Sequence, residues 1–322
     1  MSTDTPTTRR APNHSLDRWR SPRWTLADAP RQDCRTAVVT GANAGLGFEV
    51  ALGLATIGAH VLMASRSTDK AEVAAGRIRQ QVPGASVEVL RLDLASLDSV
   101  AAFAGELRAS RQHLDVLVNN AGIMAVDEGR TADGFELQLG TNHLGHFALT
   151  AQLLPLLLAT PGSRVSTMSS MGHRAGRLAI DDLMGTERGY GRWRAYFQSK
   201  LANLLFTAEL HRRLTTAEAT TIAVAAHPGA SRTDLGTKGS SSSNRAMSSV
   251  VPTLTQPATT GALPMLRSVT APTVAGGDFY GPRMVWAGHP VRENPSRRAR
   301  RAEDARRLWE VSERLTGTTA PI

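Results

Sequence analysis

The chain is short of cysteine, of aromatic residues and of long apolar runs. Cys34 is the single thiol among 322 residues, so no internal disulfide can form and the fold must rest on a buried core, which fits a reducing compartment. No His or Cys stands at ligand spacing around it, so Cys34 reads as a structural thiol and no metal site is expected. Aromatic residues make up 5% of the chain and are not interleaved with the arginines, which argues against a stacking groove for single-stranded nucleic acid. The longest apolar run, Leu153–Leu158, is broken by Pro155 and is too short to cross a bilayer. Residues 1–30 hold no apolar stretch of the kind a secretory signal needs. These absences predict a cytoplasmic protein with no membrane span.

What the chain does have is charge at its ends. The formal net charge is +9; residues 1–31 carry +3 and residues 283–322 carry +4, so the stretch between is close to neutral. Charge placed this way reads as solvated tails rather than as a specific nucleic-acid surface. Residues 1–30 are predicted to be a flexible basic arm, with Trp19 and Trp24 as possible anchors onto the body. Residues 31–290 are assigned to a single domain. Residues 291–322 are assigned to a C-terminal helix and tail: over Pro295–Leu315, Ala302, Ala305, Leu308, Trp309, Ser312 and Leu315 share one side of a helix, and Gly317 would end it.

From Thr36 the pattern alternates between short apolar runs and helical segments. The runs Ala37–Thr40, His60–Ala64, Val87–Leu90, Val116–Val118, Val165–Met168 and Ile222–Ala226 read as strands buried on both faces. The segments Leu46–Ile57, Lys70–Gln81, Ser96–Arg108, Phe135–Leu158 and Tyr196–Leu214 read as helices between them. Right-handed crossovers between parallel strands then give an α/β, doubly wound parallel sheet. Residues 231–262, rich in Ser, Thr, Gly and Pro, break the rhythm and are expected to form a long mobile loop over the substrate pocket.

Thr40-Gly41-Ala42-Asn43-Ala44-Gly45-Leu46-Gly47 turns from the first strand into the first helix. Glycines at that turn let the backbone close on a phosphate, and the helix N-terminus offers free N–H donors. The second strand ends at Ser65-Arg66 with no carboxylate where an NAD-selective site places one. A guanidinium there suits a 2′-phosphate, so NADP(H) is preferred over NAD(H). Tyr196 and Lys200, four apart, would share one helix face. A phenol titrates near ~10 and is a weak base at neutral pH; a neighbouring ammonium is expected to lower that value, letting the tyrosine exchange a proton with an alcohol or carbonyl oxygen. His143 and His146 are three apart and are expected to line a helix rather than to hold a metal.

The order of the Gly-rich turn, Asn119-Asn120-Ala121-Gly122, Ser170 and Tyr196-Phe197-Gln198-Ser199-Lys200 resembles the short-chain dehydrogenase/reductase superfamily, from about Arg35 to about Pro282. Thr141-Asn142-His143-Leu144-Gly145-His146-Phe147 and the segment Tyr196–Phe206 resemble the branch holding retinol dehydrogenases, WW-domain oxidoreductases and protochlorophyllide reductases. The 26 positions from Ser170 to Tyr196 agree with that branch; no cysteine stands near Tyr196, unlike the protochlorophyllide reductases. The resemblance implies a Rossmann fold in which Gly41, Asn43, Ala44, Gly45, Leu46 and Gly47 cradle the dinucleotide. It assigns Asp93 and Leu94 to the adenine side, and has Asn119, Asn120, Ala121 and Gly122 steady the sheet edge and line the adenosine ribose. It gives Ser170, with Ser169 as competitor, to the substrate oxygen, Lys200 to the nicotinamide ribose, and Asn142 to a relay water. Pro228 and Gly229 would close over the nicotinamide, Thr233 would meet the carboxamide, and His227 beside them is expected to serve loop geometry. The implied function is reversible reduction of a small, apolar carbonyl to an alcohol, with a possible homo-oligomer built on a helix pair; a non-catalytic NADP(H)-sensing protein is the alternative.

Overall fold

The structure is a computed structural model describing residues 22–231 and 256–322. Its centre is an eight-stranded sheet in the order β3-β2-β1-β4-β5-β6-β7-β8, formed by β1 (Thr36–Thr40), β2 (His60–Ser65), β3 (Val87–Arg91), β4 (Val116–Asn119), β5 (Arg164–Met168), β6 (Ile222–Ala226), β7 (Phe279–Pro282) and β8 (Pro290–Glu293). The first six strands lie where the apolar runs predict, and all pairs from β3 to β7 are parallel. β1 is buried at every position, as a strand covered by helices on both faces must be. The order reverses between β1 and β4, which opens a crevice at the carboxyl ends of these strands.

Helices α1 (Gly45–Thr56), α2 (Thr68–Gln81), α3 (Leu97–Ser110), α4 (Leu137–Leu139), α5 (Gly145–Leu158), α6 (Arg192–Thr216), α7 (Ala258–Thr270) and α8 (Ala302–Thr316) pack on the sheet. One core layer gathers Val39, Val61, Leu54 and Met265 around α1 and α7. The opposite layer gathers Val38, Leu117, Phe103, Phe147 and Phe206 around α3, α5 and α6. Trp24 is buried in the first layer, so the part of the basic arm that is described is docked; Trp19 lies outside the described residues.

The structure departs from the sequence pattern at three places. Residues 258–262, expected to belong to a loop, open α7; Thr259, Thr260, Gly261 and Pro264 are weak helix formers, and burial against α1 overrides them. The C-terminal helix starts at Ala302 rather than Pro295, after a short 3₁₀ turn at Arg298–Arg300, and it ends at Gly317 in the left-handed conformation as the sequence indicates. The boundary drawn at 290 falls on the first residue of β8, which pairs antiparallel with β7. Those two strands are four residues each, carry Pro282 and Pro290 paired at their connected ends, and leave too little alternation to read.

Candidate active site

The Gly-rich turn lies where β1 feeds α1. Gly41 and Gly45 adopt φ of +66° and +55°, and a Cβ on Gly47 would come within 2.2 Å of the Gly41 carbonyl oxygen, so the turn closes only with glycine there. Ala44 gives α1 no side-chain cap, which leaves the helix N-terminus facing the crevice as an anion cradle. The residues present therefore fit a dinucleotide pyrophosphate. The turn is held by Asn120: its Nδ2 donates to the Thr40 carbonyl at 2.8 Å, while the Thr40 hydroxyl accepts from the N–H groups of Asn120 and Ala121, both at 2.9 Å. Asn119 points the other way, into the sheet, donating to Thr150 Oγ1 at 2.9 Å. Its side chain is a brace between β4 and α5 and does not face the ribose.

The Ser65 hydroxyl donates to Asn43 Oδ1 at 3.1 Å, tying the turn to the end of β2, where Arg66 is exposed. Asp93 follows β3; its Oδ1 accepts from the Ala95 N–H at 3.0 Å, shaping the loop that holds Leu94 in the core. Thr233 lies outside the described residues. Pro228 and Gly229 follow β6, and the Pro228 carbonyl accepts from Ser231 Oγ at 2.8 Å and Gln256 Nε2 at 2.7 Å.

Tyr196, Lys200, Ser170, Asn142 and Gly122 come together at the carboxyl ends of β4 and β5. Tyr196 and Lys200 both lie on α6 and are buried, with Lys200 Nζ 5.9 Å from the centre of the phenol ring. Ser169 turns its hydroxyl to the Lys200 carbonyl at 2.9 Å. Ser170 hydrogen-bonds the phenol of Tyr196, so of the two serines it is Ser170 that faces the tyrosine. A Cβ at Gly122 would lie 3.1 Å from Asn142 Oδ1 and 3.3 Å from Lys200 Nζ, which places these two groups on either side of that backbone.

Asn142 sits in a π-helical turn, Gly140–Leu144, joining α4 to α5. The widened turn aims its amide at the strap after β4: Oδ1 accepts from the Ile123 N–H at 2.8 Å, and Nδ2 donates to the Ile123 carbonyl at 2.9 Å and to Ser199 Oγ at 2.9 Å. The side chain is therefore engaged in positioning Gly122–Ile123 beside Lys200.

Burial governs the titration of this cluster. It pushes the Lys200 ammonium down to about 8. It raises the Tyr196 phenol above its usual value, opposed only by the Ser170 hydrogen bond. The expectation that Lys200 lowers the tyrosine is thus overturned: removal from water sets the direction, and the ammonium is not among the groups that act on the phenol. His143 and His146 are pushed down to about 4 and about 3 by burial, and both are neutral helix-lining groups. Among the described residues no group of three or more His, Cys, Asp or Glu could hold a metal ion.

The model of the short chain dehydrogenase family matches residues 35–244. The chain belongs to the short-chain dehydrogenase family. It falls in the retinol dehydrogenase-like branch and is an oxidoreductase acting on alcohol or carbonyl groups. Retinol dehydrogenase 13 of Homo sapiens is 40% identical over 293 residues, covering 89% of this short-chain dehydrogenase and 86% of that protein. A crystal structure of an uncharacterised protein from Mycobacterium paratuberculosis matches at TM-score 0.79 and 46% identity, covering 94% of this chain and 100% of that one. A Beutenbergia cavernae structure with bound NADP, described as an NAD(P) dependent gluconate 5-dehydrogenase, matches at TM-score 0.61 and 29% identity over 78% of this chain and 96% of that one. Among the described residues no helix is long and apolar enough to cross a membrane.

Proposed function

We propose that this short-chain dehydrogenase interconverts a small apolar carbonyl and its alcohol with NADP(H) as the preferred dinucleotide and Tyr196 as general acid/base. The reading is carried by the convergence of the buried Tyr196 phenol, its Ser170 partner and the Lys200 ammonium at the crevice beside the uncapped N-terminus of α1. When bound, the nicotinamide supplies the hydride equivalent. In reduction Tyr196 donates its phenolic proton to the carbonyl oxygen as that oxygen gains electrons, and a phenol kept protonated by burial is in the correct form to do so. Ser170 donates to the same oxygen and fixes its position against the developing charge. Lys200, charged below about 8, stabilises the phenolate that Tyr196 becomes and offers donors to ribose hydroxyls. Gly122 and Ile123, pinned by Asn142, would line a ribose of the bound dinucleotide.

The NADP preference is supported by Arg66, exposed at the end of β2, beside the Ser65–Asn43 hydrogen bond. A panel of apolar aldehydes and ketones followed by NADPH absorbance tests the activity, and NADH in place of NADPH tests the choice of dinucleotide. Turnover with NADPH is expected to exceed that with NADH by about 10-fold or more at moderate salt, and Arg66→Ala should remove most of that ratio, as loss of a charge-assisted contact costs roughly 1.5–3 kcal/mol. No turnover across the panel, or equal use of the two dinucleotides by the unaltered protein, would contradict the respective part of the reading.

A further inference from the structure

The end of β8 buries a carboxylate that the reaction does not use. The Glu293 side chain is 0% exposed, and its Oε1 lies 3.3 Å from His227 Nε2. Its Oε2 lies 3.5 Å from a guanidinium nitrogen of Arg174, which is half-exposed. Taking a carboxylate out of water costs several kcal/mol unless its partners are well placed, so what this one holds is informative.

His227 is 1% exposed and immediately precedes Pro228 and Gly229. Its Nδ1 accepts from the Gly229 N–H at 3.2 Å. With Nδ1 engaged as acceptor, the opposite ring nitrogen, Nε2, is the one that lies 3.3 Å from Glu293 Oε1. The imidazole thus links the buried carboxylate to the backbone of the Pro-Gly loop. The same hairpin fits around this link: a Cβ at Gly281 in β7 would fall 2.0 Å from His227 Nε2 and 2.6 Å from Glu293 Oε1, so the pair occupies the space that glycine leaves. Phe279, paired with Glu293 across the hairpin, packs its ring against His227 at 5.2 Å and against His173 at 5.5 Å.

His173 extends the arrangement to the substrate side. Its Nδ1 donates to the Ser170 carbonyl at 2.6 Å, and its Nε2 accepts from the Ser296 N–H at 3.3 Å. Burial pushes His173 down to about 4, so it stays neutral and keeps that single donor. Arg174, the second partner of Glu293, is the next residue in the same turn.

We propose that Glu293 is a positioning residue that braces the two sides of the reaction site at once, the Pro228–Gly229 loop through His227 and the Ser170 turn through Arg174. The inference rests on the proposed role of that loop over the dinucleotide. The C-terminal hairpin is then the part of the chain that sets the distance between dinucleotide and substrate oxygen.

Glu293→Met and Glu293→Gln test it in the full-length protein. Both remove the charge and keep the length; only glutamine keeps an amide oxygen to face His227 Nε2. Two quantities are read, the NADPH KM against kcat, and hydrogen–deuterium exchange at Gly229 in the protein without dinucleotide. Glu293→Met is expected to speed exchange at Gly229 by about 10-fold and to raise the NADPH KM by a similar factor, with kcat falling less, while Glu293→Gln stays within about 3-fold on both, as expected for one hydrogen bond. Methionine and glutamine variants that behave alike, whether both unchanged or both impaired, would overturn the proposal. Should Glu293→Met fail to fold, His227→Phe, which offers the Gly229 N–H no acceptor, must show the same faster exchange, and normal exchange there overturns the brace. The exchange measurement needs no turnover, so failure of the oxidoreductase reading appears separately, as a wild-type protein that reduces no carbonyl.

Discussion

Lys200 is kept charged at neutral pH inside the protein, and this has a cost in stability. Its folded pKa of about 8 lies below the ~10.4 of an unfolded lysine. Between these values the unfolded chain binds more protons, so this group makes stability rise with pH across that window; below about 8 the penalty is present in full. Lys200→Met should therefore raise stability at pH 7 by up to about 3 kcal/mol, flatten the pH dependence between about 8 and 10.4, and reduce carbonyl turnover by 100-fold or more. The Met168 carbonyl that Lys200 bonds also accepts from Asn203, so the substitution strands no acceptor. Urea midpoints at neutral and alkaline pH, with turnover alongside, check the pair of effects; a variant less stable than the parent would contradict it.

At this scale the sequence was partly legible. Tyr196, Lys200 and Ser170 are named by spacing and by resemblance, and the structure brings them together. The side-chain directions were not readable. Asn119 and Asn120 look interchangeable in sequence, yet β4 ends between them, so one faces the sheet and the other the glycine turn. The shift of Tyr196 depends on its burial, which a four-residue spacing cannot express. The brace from Glu293 joins residues more than 60 positions apart, and no local pattern carries it.

Among the elements, the π turn between α4 and α5 is the joint on which the site depends. Its last contact is tight: Gly145 opens α5 against the Leu94 carbonyl, where a Cβ would fall at 2.3 Å. Gly145→Ala must push α5 from the loop after β3 and tilt Asn142 from Ile123. We expect a loss of about 1–3 kcal/mol, read as a lower urea midpoint with unchanged slope, and a fall in kcat beyond what the unfolded fraction explains. An unchanged midpoint would show that the loop gives way freely. The helix itself was plain in the sequence over Phe135–Leu158, because its apolar content is high; the π turn was not, since it is set by how Asn142 and its neighbours pack. α7 was missed for the converse reason, its Thr, Gly and Pro content hiding a helix that packing holds.

Over the whole molecule, α8 decides which faces are available. Trp309 inserts between α5 and α6, 5.0 Å from Phe147 and 5.9 Å from Phe206, under the Arg213 guanidinium at 4.6 Å. Ser312 meets His143 at 3.0 Å. On this side α5 and α6 are thus covered by the chain's own C-terminal helix. Trp309→Ala should cost about 3–5 kcal/mol, read as a lower urea midpoint; an unchanged midpoint would contradict the packing role of this ring. The amphipathic stripe of α8 was visible in the sequence, but what it covers was not, because the partner helices lie about 100 or more positions earlier.

The account as a whole stands on proton transfer by Tyr196, and Tyr196→Phe measures it with the loss of a single oxygen. With a carbonyl that the parent reduces, turnover should fall by about 1,000-fold, within the range general acid catalysis contributes, while the dissociation constant for NADPH, read by fluorescence titration, stays within about 2-fold of the parent value. A variant that binds NADPH normally and retains its rate would contradict it.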